Sequence, residues 1–460
     1  MPYFFHDAFR LILFVLSLIL IGKTFYNLYV AYGFKRNGLQ SGGKTSTQKL
    51  GFFTIELLRP VAFFKIFANY LTFIFLSQYF LQITILSKMP KIYASWLYVF
   101  YMFFLVLAMI PSGYFVETKN LKNNFILVTI LESLLYVGFA FAHSFLVLIL
   151  LQIFFGILKP FSSAIEYAYI FRVSSVNSYA QAVSLYTNSL RGAIIAGTFI
   201  GGILVGFCGL RITFLVAALI LLATSVYIYL VLPKIRPQVS RTKLARSGAG
   251  MTFVSVLKEL PNILKNKSFA VMLCFVAIPL GALEDGVLFF CLPLVLQHVG
   301  VSRSIIAELF VLFSLGFLLT NKWIAKKSDA KRAERKYVFY GCVGMAASII
   351  PISLVQNSVF GLLMVAIALF AIGAFRGFVI SPTVAIVSKG EAARAVGKNV
   401  ALSVYNIANS VGRIIGPIVL MQLLLFIDFS AISYFIMAIF FMMIPLASVF
   451  VYDHLYGKII

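Results

Sequence analysis

The chain has 460 residues, of which 62% are hydrophobic and 11% charged, with a mean hydropathy of +1.00. A soluble surface carries ~25% charged residues, so a freely soluble globular protein is excluded. The formal net charge of +24 is spread over short gaps between alternate apolar runs instead of gathering in a patch. That excludes a nucleic-acid surface and matches the positive-inside pattern of membrane proteins.

Apolar runs follow one another along the chain at roughly 11–33, 60–87, 92–116, 123–142, 144–171, 178–208 and 210–232, then 268–298, 303–325, 337–356, 358–388, 396–425 and 427–452. Each is near or above the ~20 residues that span a bilayer as a helix. None has the apolar/polar alternation of a barrel strand. The predicted fold is an all-α integral membrane protein with twelve core transmembrane helices in two six-helix halves, preceded by an extra N-terminal helix. The domain plan is residues 1–34 for the extra helix, 35–59 for a basic linker, 60–232 for the first bundle, 233–267 for a basic loop, 268–452 for the second bundle and 453–460 for a tail. In the leading run Lys23 interrupts the apolar sequence, and it is expected either buried in protein or snorkelling to the surface.

Basic residues set the orientation. Lys35, Arg36, Lys44, Lys49 and Arg59 precede the core, and Lys119 and Lys122 follow its second helix. The central loop carries Lys234, Arg236, Arg241, Lys243 and Arg246, and the turn after the eighth helix carries Lys326, Lys327, Lys331, Arg332, Arg335 and Lys336. The alternate turns are poorer in cations, so the rich turns and both core termini are expected in the cytoplasm. The Phe, Lys and Asn-rich character fits a bacterial inner membrane.

Enzyme chemistry finds no footing. Cys208, Cys274, Cys291 and Cys342 lie in or beside apolar runs without CxxC spacing, and the four His form no ligand cluster. No nucleophile elbow or phosphate-binding glycine loop is present. The expectation is no catalytic residue, no cofactor and no metal.

An internal repeat points to transport instead. Ala182-Val-Ser184-Leu-Tyr186 followed by Gly197 returns as Ala401-Leu-Ser403-Val-Tyr405 followed by Gly416, at an offset of 219 residues. Gly156-Ile-Leu-Lys159-Pro-Phe161 returns as Gly373-Ala-Phe-Arg376-Gly-Phe378, at an offset of 217. Repeated six-helix halves are an architecture for alternating access around a site near the midplane.

With these motifs the chain resembles the major facilitator superfamily over roughly residues 59–452. The loop after the second helix keeps Gly113, Glu117, Lys119 and Lys122 of the family pattern, with Asn120 in place of its second Gly. Gly197-Thr198-Phe-Ile-Gly201-Gly202 resembles the fifth-helix antiporter motif with Thr198 for Pro, and the eleventh helix has Gly412-x-x-x-Gly416-Pro417. Glycines so spaced let helix backbones approach closely.

Ionisable groups at membrane depth are costly and so are functional candidates. Glu284 and Asp285 lie mid-span in the seventh core helix. Loss of water penalises the charged form of a carboxyl, which suits proton coupling; a structural ion pair is the other reading. The resemblance implies that the first, fourth, seventh and tenth helices line the cavity. Lys159 and Arg376, equivalent in the repeat, then clamp an anionic substrate from the two halves, or pair with buried acids such as Glu284 or Glu166. Asn69 and Gln78 on the first helix offer neutral substrate contacts or interhelical hydrogen bonds. Glu117, Arg191, Arg413, Glu132 and Glu166 are gating candidates, the last together with Arg172. The expected function is a monomeric secondary transporter in lipid, coupled to protons and carrying a small anionic or amphipathic molecule. The alternative is a membrane sensor of the same fold that binds ligand without moving it.

Overall fold

The computed structural model describes residues 11, 13–24, 47–118, 120–173, 179–233, 266–331, 334–354, 358–389 and 398–427. The expected last core span at 427–452 lies outside these residues except for Ile427, as do 25–46, 234–265 and the tail. Among the described residues all regular structure is helical. In chain order come α1 (Leu13–Thr24), α2 (Thr47–Tyr70), a 3-10 turn (Phe73–Phe75), α3 (Leu76–Leu86) and α4 (Tyr93–Thr118). Then follow α5 (Leu121–Phe141), α6 (Phe145–Val173) and α7 (Tyr179–Val231). The next span is broken into α8 (Lys267–Met272), α9 (Ile278–Gly281) and α10 (Leu292–His298), with π-helical stretches at Leu273–Ala277 and Ala282–Cys291 between them. The chain continues with α11 (Arg303–Lys331), α12 (Glu334–Ala347), a 3-10 turn (Ile350–Leu354), α13 (Val359–Lys389) and α14 (Lys398–Ile427). Eight helical stretches among the described residues are long and apolar enough to cross a bilayer.

Several departures from the expected spans have local causes. The first core helix begins at Thr47, well before residue 60. Its continuation breaks at Leu71–Phe75 with neither Pro nor Gly in the break. There the backbone of Leu71 takes the close approach of α7 at Gly201, where an added Cβ would overlap the Leu71 carbonyl. The fifth and sixth spans join into α7 with only Gly209 non-helical, at φ 78° and ψ 169°. That left-handed region is open to Gly at little cost, so a single residue separates two spans. Lys23 is exposed, not buried in protein.

The π stretches each end two residues before a proline, Pro279 and Pro293. A helical proline removes one N–H and drives its ring at the carbonyl four residues back, here Phe275 and Phe289, both within π turns. Widening the helix by one residue per turn relieves that clash, and π-bulges are common at functional sites.

The chain forms two compact units. One draws on residues 1–76 and 107–240, the other on 77–106 and 241–460. The first is centred on Leu57, Val61, Phe125, Ile165, Tyr169 and Ile228. Its outer side is apolar too: Leu219, Leu222, Val226, Tyr229 and Leu230 on α7 are all exposed at helical spacing, a stripe made for lipid tails. The second unit has a core cluster of Phe269, Leu273, Ala277, Val387, Ala401, Val404 and Tyr405. Residues 77–106 pack there, with Tyr98 edge-on to Phe290 at 5.3 Å.

Glycine crossings hold both units. In the first, α7 lays Gly197 and Gly201 on Phe67, Tyr70 and Leu71. In the second, α14 lays Gly412 and Gly416 on the backbone of Ile278 and Ala282, and Gly281 in turn meets the Asn409 carbonyl. The two crossings obey the same 219-residue offset, since Gly197 and Gly416 are equivalent and Phe67 falls at Gly286.

Candidate functional site

Each unit encloses a cluster of ionised side chains. In the first, Lys65 projects from the C-terminal part of α2 toward α5 and α6. Its ammonium pairs with Glu132 Oε2 at 3.0 Å and Glu166 Oε1 at 3.8 Å. It also donates to the hydroxyls of Ser162 and Thr129 and lies 4.8 Å from the centre of the Phe125 ring. Tyr186 on α7 donates its hydroxyl to Glu166 Oε2. Lys65, Glu132 and Glu166 are 3%, 2% and 6% exposed, so the three charges are held almost without water. Lys159, two turns before Glu166 on α6, is half-buried with its ammonium 5.2 Å over the Phe155 ring. It makes no ion pair with a described carboxylate.

In the second unit Arg376 on α13 binds Glu284 Oε1 through Nη2. Arg413 on α14 reaches Glu284 Oε2 at 3.5 Å and Asp285 Oδ2 at 3.9 Å. Asn409 anchors Arg413, accepting from its Nε at 3.0 Å while donating to the Ala277 carbonyl at 3.0 Å. The guanidinium of Arg376 lies between Phe313 and Phe317, 5.6 and 5.2 Å from the ring centres. Both carboxylates stand in the π-helical stretch Ala282–Cys291. The geometry gives a bidentate Glu284 between two arginines, with Asp285 Oδ2 left without a hydrogen bond.

A family model for the Major Facilitator Superfamily matches residues 60–417. The chain belongs to the major facilitator superfamily. Solved structures of similar fold include the nucleoside transporter NupG, at TM-score 0.69 and 15% identity over 87% of this chain and 99% of that one. A bacterial homologue of the human lysosomal transporter Spinster follows at 0.67 and 15%, over 90% and 98%. A transporter of the POT family, solved with 5-aminolevulinic acid, stands at 0.64 and 14%, over 88% and 96%. A search of curated proteins gives no sequence match. This facilitator-superfamily chain is therefore a multi-pass membrane transporter and not an enzyme.

Within the superfamily fold, the residues singled out in sequence separate into three groups. Glu284, Asp285, Arg376 and Arg413 meet in one cluster, so Arg376 is tied to a carboxylate and Arg413 belongs beside it. Glu132 and Glu166 gather around Lys65, and Lys159 stands two turns before Glu166 on α6. The rest stand elsewhere. Asn69 accepts from the Tyr136 hydroxyl at 3.0 Å. Gln78 donates to the Pro293 carbonyl at 3.0 Å, and Arg191 is half-buried on α7. The side chains of Glu117 and Arg172 lie outside those described.

Gln78→Leu keeps the volume and removes the bond to Pro293. It is expected to cost about 0.6 kcal/mol, and at most about 1.7, read as a small fall in melting temperature in detergent. Two buried ions were not singled out in sequence, Lys65 and Glu308. Lys65 carries its own signal: at the repeat offset of 219 it stands opposite Glu284, so this one pair of equivalent positions carries opposite charges.

Proposed function

We propose that this chain is a proton-coupled secondary transporter of a small anion, working by alternating access, with Glu284 as the proton acceptor and Arg376 as the anion contact. The observation that carries the reading is the buried Glu284 bound by Arg376 and Arg413 inside a π-helical stretch. A proton on Glu284 removes the charge that holds both guanidiniums. Arg376, already flanked by two aromatic faces, then presents a planar fork suited to a carboxylate or phosphate. Loss of the proton restores the Glu284 pair and expels the anion, so proton and substrate move together. Asp285, adjacent and partly paired with Arg413, keeps that arginine in place during the exchange. The basic turns support cytoplasmic core termini in a bacterial inner membrane, and the protein works as a monomer.

The test uses proteoliposomes with a pH-sensitive dye inside and small anions selected by their effect on melting temperature. Wild type is expected to acidify the lumen when anion and proton are offered together outside. Glu284→Gln is expected to keep anion exchange and lose proton movement. Proton flux unchanged in Glu284→Gln overturns the assignment.

A further inference from the structure

The turn between α11 and α12 differs from its counterpart in the first half. Over residues 322–336 seven Lys and Arg stand against Asp329 and Glu334, an excess of five positive charges. The turn after the second core helix has only Lys119 and Lys122 against Glu117. The apolar stretch of α11 ends at Asn321, yet the helix runs on to Lys331. At 1.5 Å per residue, Trp323 stands about 3 Å and Lys327 about 9 Å beyond that stretch. The headgroup layer on each side of a bilayer is roughly 5–8 Å deep, so a Lys327 side chain stretched outward would leave it. Instead the side chain bends back, and its ammonium lies 3.7 Å over the ring of Trp323, one turn nearer the membrane. Trp323 is 53% exposed and Lys327 is exposed. Lys327 makes no ion pair with a described carboxylate. On α12 the order runs in reverse. Arg335 and Lys336 are exposed in its first turn, and Tyr340, one turn further toward the apolar sequence, is 58% exposed.

Only Arg332 and Ala333 separate the two helices, and each presents an exposed aromatic with a cation one turn further out. Exposed Trp and Tyr rings settle at headgroup level, which brings the cations beside them to the phosphates. We infer that this end of the second unit binds one anionic glycerophospholipid. The Lys327 ammonium meets its phosphate, Lys336 and the neighbouring cations supply the surrounding positive field, and Trp323 and Tyr340 lie against the glycerol and upper chains. Trp323 is a positioning residue here, since it keeps the ammonium at phosphate depth and out of bulk water. The excess charge selects the headgroup: a zwitterionic lipid brings its own cation and gains little from five more. A free phosphate ion meets the same cations but has no chains to place beside the exposed rings. The site lies wholly in the second unit, uses none of Glu284, Asp285, Arg376 and Arg413, and stands independently of the role proposed for them.

The experiment titrates the purified full chain, in an uncharged detergent at fixed ionic strength, with phosphatidylglycerol, phosphatidylcholine or inorganic phosphate. Native mass spectrometry counts the lipid retained per chain, and the melting temperature reports stabilisation. Wild type is expected to retain one phosphatidylglycerol and to melt higher with it, and to do neither with phosphatidylcholine or inorganic phosphate. Lys327→Gln is expected to weaken retention about fivefold, the share of one interfacial cation, and Lys327→Arg to keep it. Trp323→Leu leaves the net charge unchanged and is expected to weaken retention as well, which a general attraction between charged surfaces would not do. Both side chains are exposed, so neither substitution disturbs the core. Lys122→Gln, at the sparser turn of the first unit, and Glu284→Gln are expected to retain the lipid as wild type does. Equal retention of phosphatidylcholine, displacement of the lipid by inorganic phosphate, or unaltered retention in Trp323→Leu overturns the proposal. So does a loss in Lys122→Gln equal to that in Lys327→Gln, or a loss in Glu284→Gln.

Discussion

Lys65→Met is expected to lower the unfolding free energy by about 3–5 kcal/mol, the usual cost of removing one partner from a buried ion pair. The effect is large because Lys65 serves two carboxylates and two hydroxyls at once in a site 3% exposed. Met fills the space of the aliphatic stem but leaves Glu132 and Glu166 facing each other with no compensating charge. Replacing both acids in the same chain, as Lys65→Met/Glu132→Gln/Glu166→Gln, is expected to recover most of the loss, because a wholly neutral cluster carries no desolvated charge. Thermal unfolding in one detergent, followed by Trp-independent dye binding or by loss of the monodisperse peak, distinguishes the two. A single variant as stable as wild type shows that water reaches the cluster.

Gly412→Val is expected to be at least as damaging, for a steric reason. A Cβ at Gly412 would overlap the Ile278 carbonyl oxygen and crowd Ala282 N at 3.0 Å, and backbone atoms do not rotate away. Overpacking between side chains costs about 1–3 kcal/mol; against a helix backbone the two elements must separate. With them goes the support of Arg413, the next residue, and so the second arm on Glu284. The expected readout is a lower yield of folded protein and a melting temperature reduced well beyond that of Gly22→Ala, whose Cβ meets nothing within 4 Å. Equal behaviour of the two variants rules out the close crossing.

The helical membrane fold was legible because the demand of lipid on composition is blunt: long apolar runs with short basic gaps have few other solutions. The repeat was legible through small residues, since Gly197 and Gly416 each meet a partner helix and tolerate no other side chain. Lys65 escaped notice for the opposite reason. Its surroundings, Phe-Phe-Lys65-Ile, share no residue type with Leu-Glu284-Asp-Gly, so only the offset relates them and the charge is reversed. The π turns need the chain of carbonyls behind Pro279 and Pro293 to be followed one by one, which periodicity alone does not register. The break at Leu71–Phe75 carries no Pro or Gly of its own, and the residue that meets it closely, Gly201, sits on another helix. Pairing of Arg376 with Glu284 was one of two open readings for that arginine, and geometry was needed to choose.

The membership of residues 77–106 in the second unit has a consequence for the order of biosynthesis. The remainder of that unit begins at residue 241, so α3 and the first part of α4 leave the ribosome long before their partners exist. At roughly 5–20 residues per second, they wait on the order of ten to thirty seconds in the bilayer. During that interval Gln78 and Tyr98 face lipid or a temporary companion in place of Pro293 and Phe290. A membrane chaperone that recognises nascent chains has its opening here. Expressing the chain as two fragments cut in the central loop leaves the later fragment without a part of its own unit.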